Sequence, residues 1–266
     1  VIVYDGDDTV VTARDVDAGT IAGLTVRYAG SAEHPSIFIV DSRLVLISCS
    51  VEGATLAGIE IRGSDSEVLV VDNTIHGNTQ SGIFIYDGAK ATMRRNEIYG
   101  SKELHGIEVR GTDTEVLIDD NSIHGNTQSG IFLYTEVHGT VKKSEIYGNG
   151  YHGISARDKG TSLVIEGNLI RDNTQSGIFF YTGAHGTVEK NEIYGNGYRG
   201  IEVCDERTTL TIEDNTIVLN SSAGVWVYDQ AQATLRGNTI ALNGRAGIDV
   251  QGYQYRDDGS VVASNN

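Results

Sequence analysis

The sequence predicts an all-β protein that folds as a right-handed parallel β-helix, a solenoid of about ten to eleven coils with three short strands per coil. Related segments recur along the chain every 23 to 24 residues. Inside them, apolar and polar residues alternate, which is the two-residue period of a β-strand. Such coils stack in parallel if each one winds once around a common axis, and connections between parallel strands are right-handed as a rule.

The repeat is visible in two interleaved series of segments. NTIHGNTQSGIFIY begins at Asn73, and NSIHGNTQSGIFLY and NLIRDNTQSGIFFY begin at Asn121 and Asn168. A second series, which includes NEIYGSKELHGIEV from Asn96, lies between them. The glycine before each GI or GV pair marks nine related coils, at Gly58, Gly82, Gly106, Gly130, Gly153, Gly177, Gly200, Gly224 and Gly247.

Short strands account for almost the whole chain. Asn, Gly, Asp and Thr separate apolar runs such as Val116 to Ile118, and no window has a clear helical period. Residues 1–48 are predicted to form two irregular N-terminal coils and residues 49–252 the regular coils. Residues 253–266, with Tyr253 and Tyr255, are predicted to form a C-terminal tail or cap. The prediction is therefore a single β-helix domain over residues 1–266.

Two columns of residues predict how neighbouring coils pack. Ala156 and Phe180 occupy adjacent coils in a column that otherwise contains Ile, Val and Leu, so a small and a large side chain conserve volume between layers. A recurring Asn, from Asn73 to Asn238, is interpreted mainly as a turn requirement, with stacked side-chain amides as the alternative.

The pattern N-x-I-x-x-N-x-x-x-G-I-x-V resembles the right-handed parallel β-helix repeat of the pectin-lyase-like superfamily. It is most similar to the carbohydrate-binding and sugar-hydrolase type of repeat, which also occurs in NosD-like periplasmic proteins and F-box substrate-recognition proteins. The resemblance covers about three quarters of the chain. It implies the fold, whereas function varies, because the superfamily includes lyases, hydrolases, epimerases and modules without known catalysis.

The composition narrows the class of partner. The chain has 36 acidic and 20 basic residues and a formal net charge of −16, so its surface repels phosphate backbones and anionic lipids. We therefore expect neither nucleic acid nor membrane as a partner. Because the first residue is Val1, we interpret the chain as a processed protein or an excised domain. The glycines follow the repeat rather than a phosphate loop, and no cofactor is predicted.

The strand after the repeated glycine has outward positions that alternate between charged and aromatic residues. Aromatic pairs recur every second coil, about 10 Å apart, with Glu and Arg between them. Such a face suits stacking on sugar rings and bonding to hydroxyls or carboxylates, and strand propensity or burial is the alternative interpretation. The predicted ligand-binding residues are Phe84, Tyr86, Glu108, Arg110, Phe132, Tyr134, Arg157, Phe179, Tyr181, Glu202, Trp226 and Tyr228.

A second outward column mixes groups that serve as acids and bases. It contains His76, Tyr99, His124, Tyr147, Arg171 and Tyr194, and we expect His105, Tyr151, His152, Tyr198 and Arg199 near it. Lyases and epimerases of uronic acids need a base, an acid and a positive group, which these side chains supply. The residues recur in several coils, whereas an active site normally breaks a repeat, so solvated turn residues are the favoured interpretation. The catalytic candidates are His124, Tyr147, His152 and Arg171.

Several site signatures are missing from the sequence. It contains no paired-Asp signature of the polygalacturonase type, no Asp-Pro-His motif of the alginate epimerase type and no Asp and Arg cluster like that of calcium-dependent pectate lyases. Acidic turns at Asp65 and Asp113 are two coils apart, and no metal site is predicted. Cys49 and Cys204 are six coils apart, about 29 Å along the axis, which excludes a disulfide between them. Unpaired thiols favour a reducing compartment or a structural role.

Two functions from different classes fit these features. The first is a non-catalytic recognition or scaffold module that presents the aromatic and charged face to a glycan or a protein partner. The alternative is a polysaccharide-active enzyme, a lyase or epimerase acting on a uronic-acid polymer. The constant coil length favours the first, because a cleft would need a long inserted loop. Open β-helix ends also predict either a cover or end-to-end association. Face-to-face self-association is a further expectation.

Overall fold

The computed structural model describes residues 1–251 and the backbone of residues 260–264. These residues form 33 β-strands and no helix. Three strands make one coil, and the stacked coils produce three parallel sheets of eleven strands each. The predicted right-handed parallel β-helix is confirmed, including the number of coils and the three strands in each coil.

The first sheet carries the predicted His and Tyr column. Its strands are β1 (Ile2–Tyr4), β4 (Thr25–Tyr28), β7 (Ser50–Glu52), β10 (Thr74–His76), β13 (Glu97–Tyr99), β16 (Ser122–His124), β19 (Glu145–Tyr147), β22 (Leu169–Arg171), β25 (Glu192–Tyr194), β28 (Thr216–Val218) and β31 (Thr239–Ala241).

The second sheet carries the predicted ligand-binding residues. Its strands are β2 (Val11–Arg14), β5 (Ile37–Val40), β8 (Ile59–Arg62), β11 (Ile83–Tyr86), β14 (Ile107–Arg110), β17 (Ile131–Tyr134), β20 (Ile154–Arg157), β23 (Ile178–Tyr181), β26 (Ile201–Val203), β29 (Val225–Tyr228) and β32 (Ile248–Gln251).

The third sheet closes each coil. Its strands are β3 (Gly19–Ala22), β6 (Arg43–Ile47), β9 (Glu67–Val71), β12 (Lys90–Arg94), β15 (Glu115–Asp119), β18 (His138–Lys142), β21 (Ser162–Glu166), β24 (His185–Glu189), β27 (Thr209–Glu213), β30 (Gln232–Arg236) and β33 (Ser260–Ser264).

The core is one apolar column enclosed by the inward side chains of the three sheets. Ala156 pairs with Phe180 in register, and neither side chain has exposed surface. The predicted contact between a small and a large residue is confirmed. The next residue of the same column is Val203, so the large ring of Phe180 is accommodated by smaller neighbours on both sides.

The recurring asparagines lie in the turn between the third and first sheets, and their side chains are stacked. Asn73 Nδ2 donates to Asn96 Oδ1 at 2.9 Å, and Asn96 Nδ2 donates to Asn121 Oδ1 at 2.9 Å. The interpretation as a turn requirement alone was wrong, and the alternative of stacked amides is confirmed. Each turn has one left-handed residue before the Asn, such as Asp72 with φ 55°, and the amide inside it is buried. Buried amides need partners, and the next coil supplies them.

A second asparagine column, which the sequence analysis did not single out, follows the first sheet. Its members Asn126, Asn149, Asn173, Asn196, Asn220 and Asn243 are joined by Nδ2 to Oδ1 hydrogen bonds of 2.9–3.0 Å. Ser101 takes the Asn position near the beginning of this column. There, Asn78 Nδ2 and Ser101 Oγ are buried and have no hydrogen-bond partner among the described residues.

The N-terminal end of the β-helix is described in full, whereas at the C-terminal end only the backbone of the last strand is described. Residues 1–48 form the strands of the first two coils, and Val3 in the first strand is 57% exposed. The predicted C-terminal tail or cap, with Tyr253 and Tyr255, lies outside the described residues apart from the backbone of β33, which pairs with β30. Cys49 and Cys204 are buried free thiols. The described part of the chain contains no helix that could cross a membrane.

Candidate functional site

The candidate site is the outer face of the second sheet. From β8 to β29, each strand contributes two outward side chains, and aromatic pairs alternate with polar or charged pairs. The register places Phe132 beside Glu108 on one side and Ser155 on the other. We call these two columns, from Glu60 and Arg62 to Trp226 and Tyr228, the ladder, and the pair from one coil a rung.

The two rings of each aromatic rung stack on each other. The ring centroids are 4.6 Å apart for Phe84 and Tyr86, 4.8 Å for Phe132 and Tyr134, 4.4 Å for Phe179 and Tyr181, and 3.6 Å for Trp226 and Tyr228. Most of these rings are half-buried, and Tyr86 is buried. Each pair therefore forms an aromatic ridge that keeps part of its surface in solvent.

Arginines of the alternate rungs lie against these ridges. The Arg110 guanidinium carbon is 5.0 Å from the ring centroid of Phe84 and 5.2 Å from that of Tyr86. Arg157 is 5.2 Å from the ring centroid of Phe132. These distances are those of cation–π contacts, which are attractive and orient the guanidinium.

The pattern continues one coil further toward the N-terminus than the sequence analysis placed it. Phe38 lies between Arg14 and Arg62, and both guanidinium carbons are 4.9 Å from its ring centroid. Phe38 is directly beside Glu60 in the register, so the same alternation was already present in the sequence of β5.

Glutamates of the alternate rungs accept hydrogen bonds from tyrosines of the next coil. Tyr134 donates to Glu108 at 2.9 Å, and Tyr86 donates to Glu60. Burial, together with this carboxylate, raises the pKa of Tyr86 to about 12. The tyrosines are therefore neutral donors at physiological pH, and their polar contacts are made within the ladder.

The turn residues before the second sheet pack on the ladder. The ring centroid of His105 is 4.7 Å from that of Phe132, and His152 is 4.8 Å from Phe179. Arg199 takes the same position in a later coil, and its guanidinium carbon is 3.5 Å from the ring centroid of Trp226 in the next rung. The expectation that His105, His152 and Arg199 lie near the His and Tyr column was wrong. Each of them directly precedes the glycine that leads into a second-sheet strand, so its side chain lies over the next rung.

The two turn histidines are neutral. In His152, Nδ1 accepts a hydrogen bond from the backbone N–H of Ser176 at 3.2 Å, and His105 accepts one from Ser129 in the same way. Burial lowers the pKa of His152 to about 4 and also lowers the pKa of His105. A buried imidazole is costly to protonate because the charged form loses its hydration.

The candidate acids and bases of the first sheet form a continuous stack. The ring centroids are 5.0 Å apart for His76 and Tyr99, 5.0 Å for Tyr99 and His124, and 4.7 Å for His124 and Tyr147. Arg171 continues the stack, 4.4 Å from the ring centroid of Tyr147. Hydrogen bonds to Asp172 and Glu145 raise the pKa of Arg171. The structure thus brings His124, Tyr147 and Arg171 together, whereas His152 contacts the ladder instead.

The outer face of the third sheet has a shallow groove that the sequence analysis did not single out. One cavity in it has a volume of about 510 Å³ and is lined by residues that include Thr92, Leu117, Thr140 and Val164. These residues take the middle outward position of successive third-sheet strands. Comparing that position from coil to coil in the sequence would have identified them. No cluster of three or more His, Cys, Asp or Glu side chains suited to a metal ion occurs within the described residues.

Comparison with known protein families decides the family of the chain. Residues 10–134 and 105–266 match the family described as the right-handed β-helix region, and the two matches together cover most of the chain. The chain belongs to the right-handed β-helix family. Comparison of this β-helix with curated proteins gives no match.

Solved structures similar to this β-helix include sugar-polymer epimerases and a phage tailspike. A double mutant of the periplasmic alginate epimerase AlgG is 14% identical with a TM-score of 0.67, covering 95% of this chain and 72% of that chain. The A-module of the Azotobacter vinelandii mannuronan C-5 epimerase AlgE4 is 16% identical with a TM-score of 0.57, covering 92% and 91%. The enzymatically active domain of bacteriophage CBA120 tailspike protein 2 is 14% identical with a TM-score of 0.63, covering 94% and 42%. At these identities the likeness shows the fold alone.

Proposed function

We propose that this β-helix is a non-catalytic recognition module whose ladder binds an extended glycan. The observation that carries the proposal is the recurrence of four aromatic ridges on one face, at every second coil, separated by rungs that contain an arginine, a glutamate or both. Neighbouring ridges are about 10 Å apart, which is close to the length of a disaccharide in an extended polysaccharide. Partly exposed rings offer apolar contact area at a low cost in side-chain entropy.

The aromatic rungs and the polar rungs of the ladder would contribute different contacts to a bound glycan. The hydroxyls of Tyr86, Tyr134 and Tyr228 already donate to glutamates, so these ridges contribute mainly apolar surface. Arg110 is exposed, and an arginine presents several N–H donors in a fixed plane. Sugar hydroxyls and carboxylates accept such hydrogen bonds, so alternate rungs supply contact area and polar recognition in turn.

The similar solved structures support a polysaccharide as the ligand class. Two of them are named as epimerases of alginate or mannuronan, and the third is an enzymatically active phage tailspike domain. Their names also favour the second candidate function, a lyase or epimerase acting on a uronic-acid polymer.

Two features of this chain favour binding over catalysis. Its one proline, Pro35, follows His34, so an Asp-Pro-His motif of the alginate epimerase type is absent from the sequence. The pair His124 and Tyr147 repeats the stacking of His76 and Tyr99 two coils earlier, so these groups belong to a regular column. A regular column does not single out one coil as a reaction centre.

A glycan array with the purified chain identifies the ligand, and calorimetry of one ladder variant tests the site. Phe132→Leu keeps apolar volume but removes the ring, so we expect binding to weaken about tenfold. The control is Val164→Thr on the third sheet, where the residue is 39% exposed and its substitution should not change binding. Phe132→Leu binding as tightly as the parent would remove the ladder as the site.

The alternative function, a lyase or epimerase, predicts a different result for substitutions in the His and Tyr column. His124→Gln and Tyr147→Phe would then abolish turnover of a uronic-acid polymer and leave its binding intact. For a recognition module, we expect no turnover by the parent chain and unchanged binding by both variants. Product formation by the parent that is lost in His124→Gln would establish the enzyme.

A further inference from the structure

One of the four alternate rungs of the ladder, the rung of Ser155, has no glutamate. Glu60, Glu108 and Glu202 take the first outward position of the other alternate rungs. Ser155 takes that position in the rung between Phe132 and Phe179. The other alternate rungs show which donors a carboxylate at this position accepts from, and the rung of Ser155 shows the same position without a carboxylate.

In the rungs of Glu108 and Glu202, the carboxylate accepts hydrogen bonds from both neighbouring coils. One donor is a tyrosine of the next coil, and the other is a serine in the turn that leads into the second-sheet strand of the preceding coil. These hydrogen bonds are Tyr134 to Glu108 at 2.9 Å, Ser81 to Glu108 at 2.7 Å, Tyr228 to Glu202 at 3.0 Å and Ser176 to Glu202 at 2.6 Å. A glutamate is therefore the shared acceptor that satisfies these hydroxyls.

At Ser155, the equivalent donors have no carboxylate. The Tyr181 hydroxyl faces Ser155 and Arg157 instead. In addition, His152 Nε2 and Arg157 Nε are buried and have no hydrogen-bond partner within the described part of the chain. The nearest carboxylate to Arg157 belongs to Asp158, whose Oδ2 is 3.6 Å from Nε, too far for a hydrogen bond.

The unpartnered atoms are donors. His152 Nδ1 accepts from the backbone of Ser176, so the neutral ring carries its proton on Nε2. His152 is 4% exposed, and a buried donor without an acceptor is destabilising. Within the ladder, Arg62 shares its rung with Glu60, and Arg110 shares its rung with Glu108. Arg157 is the ladder arginine whose rung has no glutamate. This place on the ladder therefore has donors and positive charge in excess of acceptors.

We propose that the rung at Ser155 is a subsite for a carboxylate of the bound glycan, which takes the place of the missing glutamate. The inference rests on the proposed function and adds that the ligand contains uronic acid units. The subsite donors are Arg157, His152 Nε2 and the Tyr181 hydroxyl. The Arg157 side chain is 41% exposed, so its guanidinium is the part of the subsite that an incoming carboxylate meets. Charge-assisted hydrogen bonds to a carboxylate are among the strongest available to a protein.

Ser155→Glu tests the subsite because it restores the repeat. The new carboxylate should accept from the same donors, so we expect the melting temperature to rise. The preference for hexagalacturonate over its fully methyl-esterified form, about tenfold in the parent, should disappear. Ser155→Gln is the matched control, which adds the same volume without the charge and should lose less of the preference. Unchanged preference in Ser155→Glu, or equal binding of acid and ester by the parent, would overturn the subsite.

A second measurement separates this inference from the proposed function. Free glucuronate, with glucose and inorganic sulfate as comparison probes, is titrated into the parent while the imidazole nitrogen signals of His152 are followed by NMR. The subsite predicts a saturable shift with glucuronate, none with glucose, and no shift with glucuronate in Ser155→Glu. A glucuronate shift without binding of any oligosaccharide would retain the anion subsite and contradict the glycan-binding ladder. Oligosaccharide binding without that shift would contradict the subsite alone, and an equal shift with sulfate would reduce it to a general anion site.

Discussion

Arg199 and Glu202 form an ion pair on the outer face of the second sheet, with Nη1 3.1 Å from Oε1 and with side chains that are 9% and 7% exposed. Arg199 also lies over Trp226, and Glu202 accepts hydrogen bonds from Ser176 and Tyr228. Two earlier coils have a histidine, His105 or His152, at the position of Arg199. In this coil the arginine is therefore in the turn before the strand, and Cys204 takes the ladder position that Arg62, Arg110 and Arg157 take in the other alternate rungs.

Removal of one partner of this pair should be costly. Arg199→Ala leaves a buried carboxylate without its cation, and we expect the free energy of unfolding to fall by about 3 kcal/mol. The control is Arg95→Ala, which breaks an exposed pair with Asp72 at 2.7 Å and should cost less than about 1 kcal/mol. Urea denaturation measures both. Equal losses in the two variants would show that the buried pair contributes no more than a surface one.

The core column allows a test of packing between coils. Phe180→Ala should cost about 3 to 5 kcal/mol because it leaves a cavity beside Ala156. The exchange Ala156→Phe with Phe180→Ala conserves the volume of the two layers and should cost only about 1.5 kcal/mol. Thermal unfolding monitored by circular dichroism measures the difference. An exchange variant no more stable than Phe180→Ala alone would contradict the idea that adjacent layers share volume.

The interrupted asparagine column predicts a stabilising substitution. Ser101→Asn would give Asn78 Nδ2 an acceptor and would donate to Asn126, so we expect a gain of about 1 to 2 kcal/mol. Ser144→Asn in the other column is the control, because the Ser144 hydroxyl already donates to Lys142 O at 3.0 Å and leaves no buried group unpaired. Chemical denaturation should show the larger gain at position 101. A loss of stability there would mean that the turn cannot accept the amide.

Protonation of His152 predicts a pH dependence of stability. Its pKa is about 4 in the folded chain, because burial opposes the charged form, and near 6.5 in the unfolded chain. Between these values the unfolded state binds a proton that the folded state does not, so stability falls as the pH is lowered from about 6.5 to 4, by about 3 kcal/mol. His152→Gln should lose less stability over this range, and His138→Gln, at an exposed position, should behave as the parent. Identical slopes for parent and His152→Gln would contradict the burial of this histidine.

The sequence was sufficient for the fold because the repeat encodes it directly. Inward and outward positions alternate along each strand, and the constant coil length fixes which residues are neighbours, so the contact of Ala156 with Phe180 was predictable. The two asparagine columns were also present in the repeated motif, but only the hydrogen bonds show that the amides link the coils.

The side-chain arrangement of the ladder was less predictable. The alternation of Phe132 with Glu108 follows from the sequence, whereas the stacking of Phe132 on Tyr134 depends on rotamers chosen in three dimensions. The turn residues His105 and His152 were assigned to the wrong column because a turn can direct a side chain to either neighbouring sheet. The incomplete rung at Ser155 was visible in the sequence, but the unpartnered donors around it were not.

The most direct test of the ladder is the dependence of affinity on ligand length. Dissociation constants are measured by calorimetry for a series of oligosaccharides of the glycan that the array selects. The four ridges span about 30 Å, so affinity should increase about two- to tenfold with each added disaccharide until all four are covered. An affinity that stops increasing at a single disaccharide would contradict a ladder of repeated subsites.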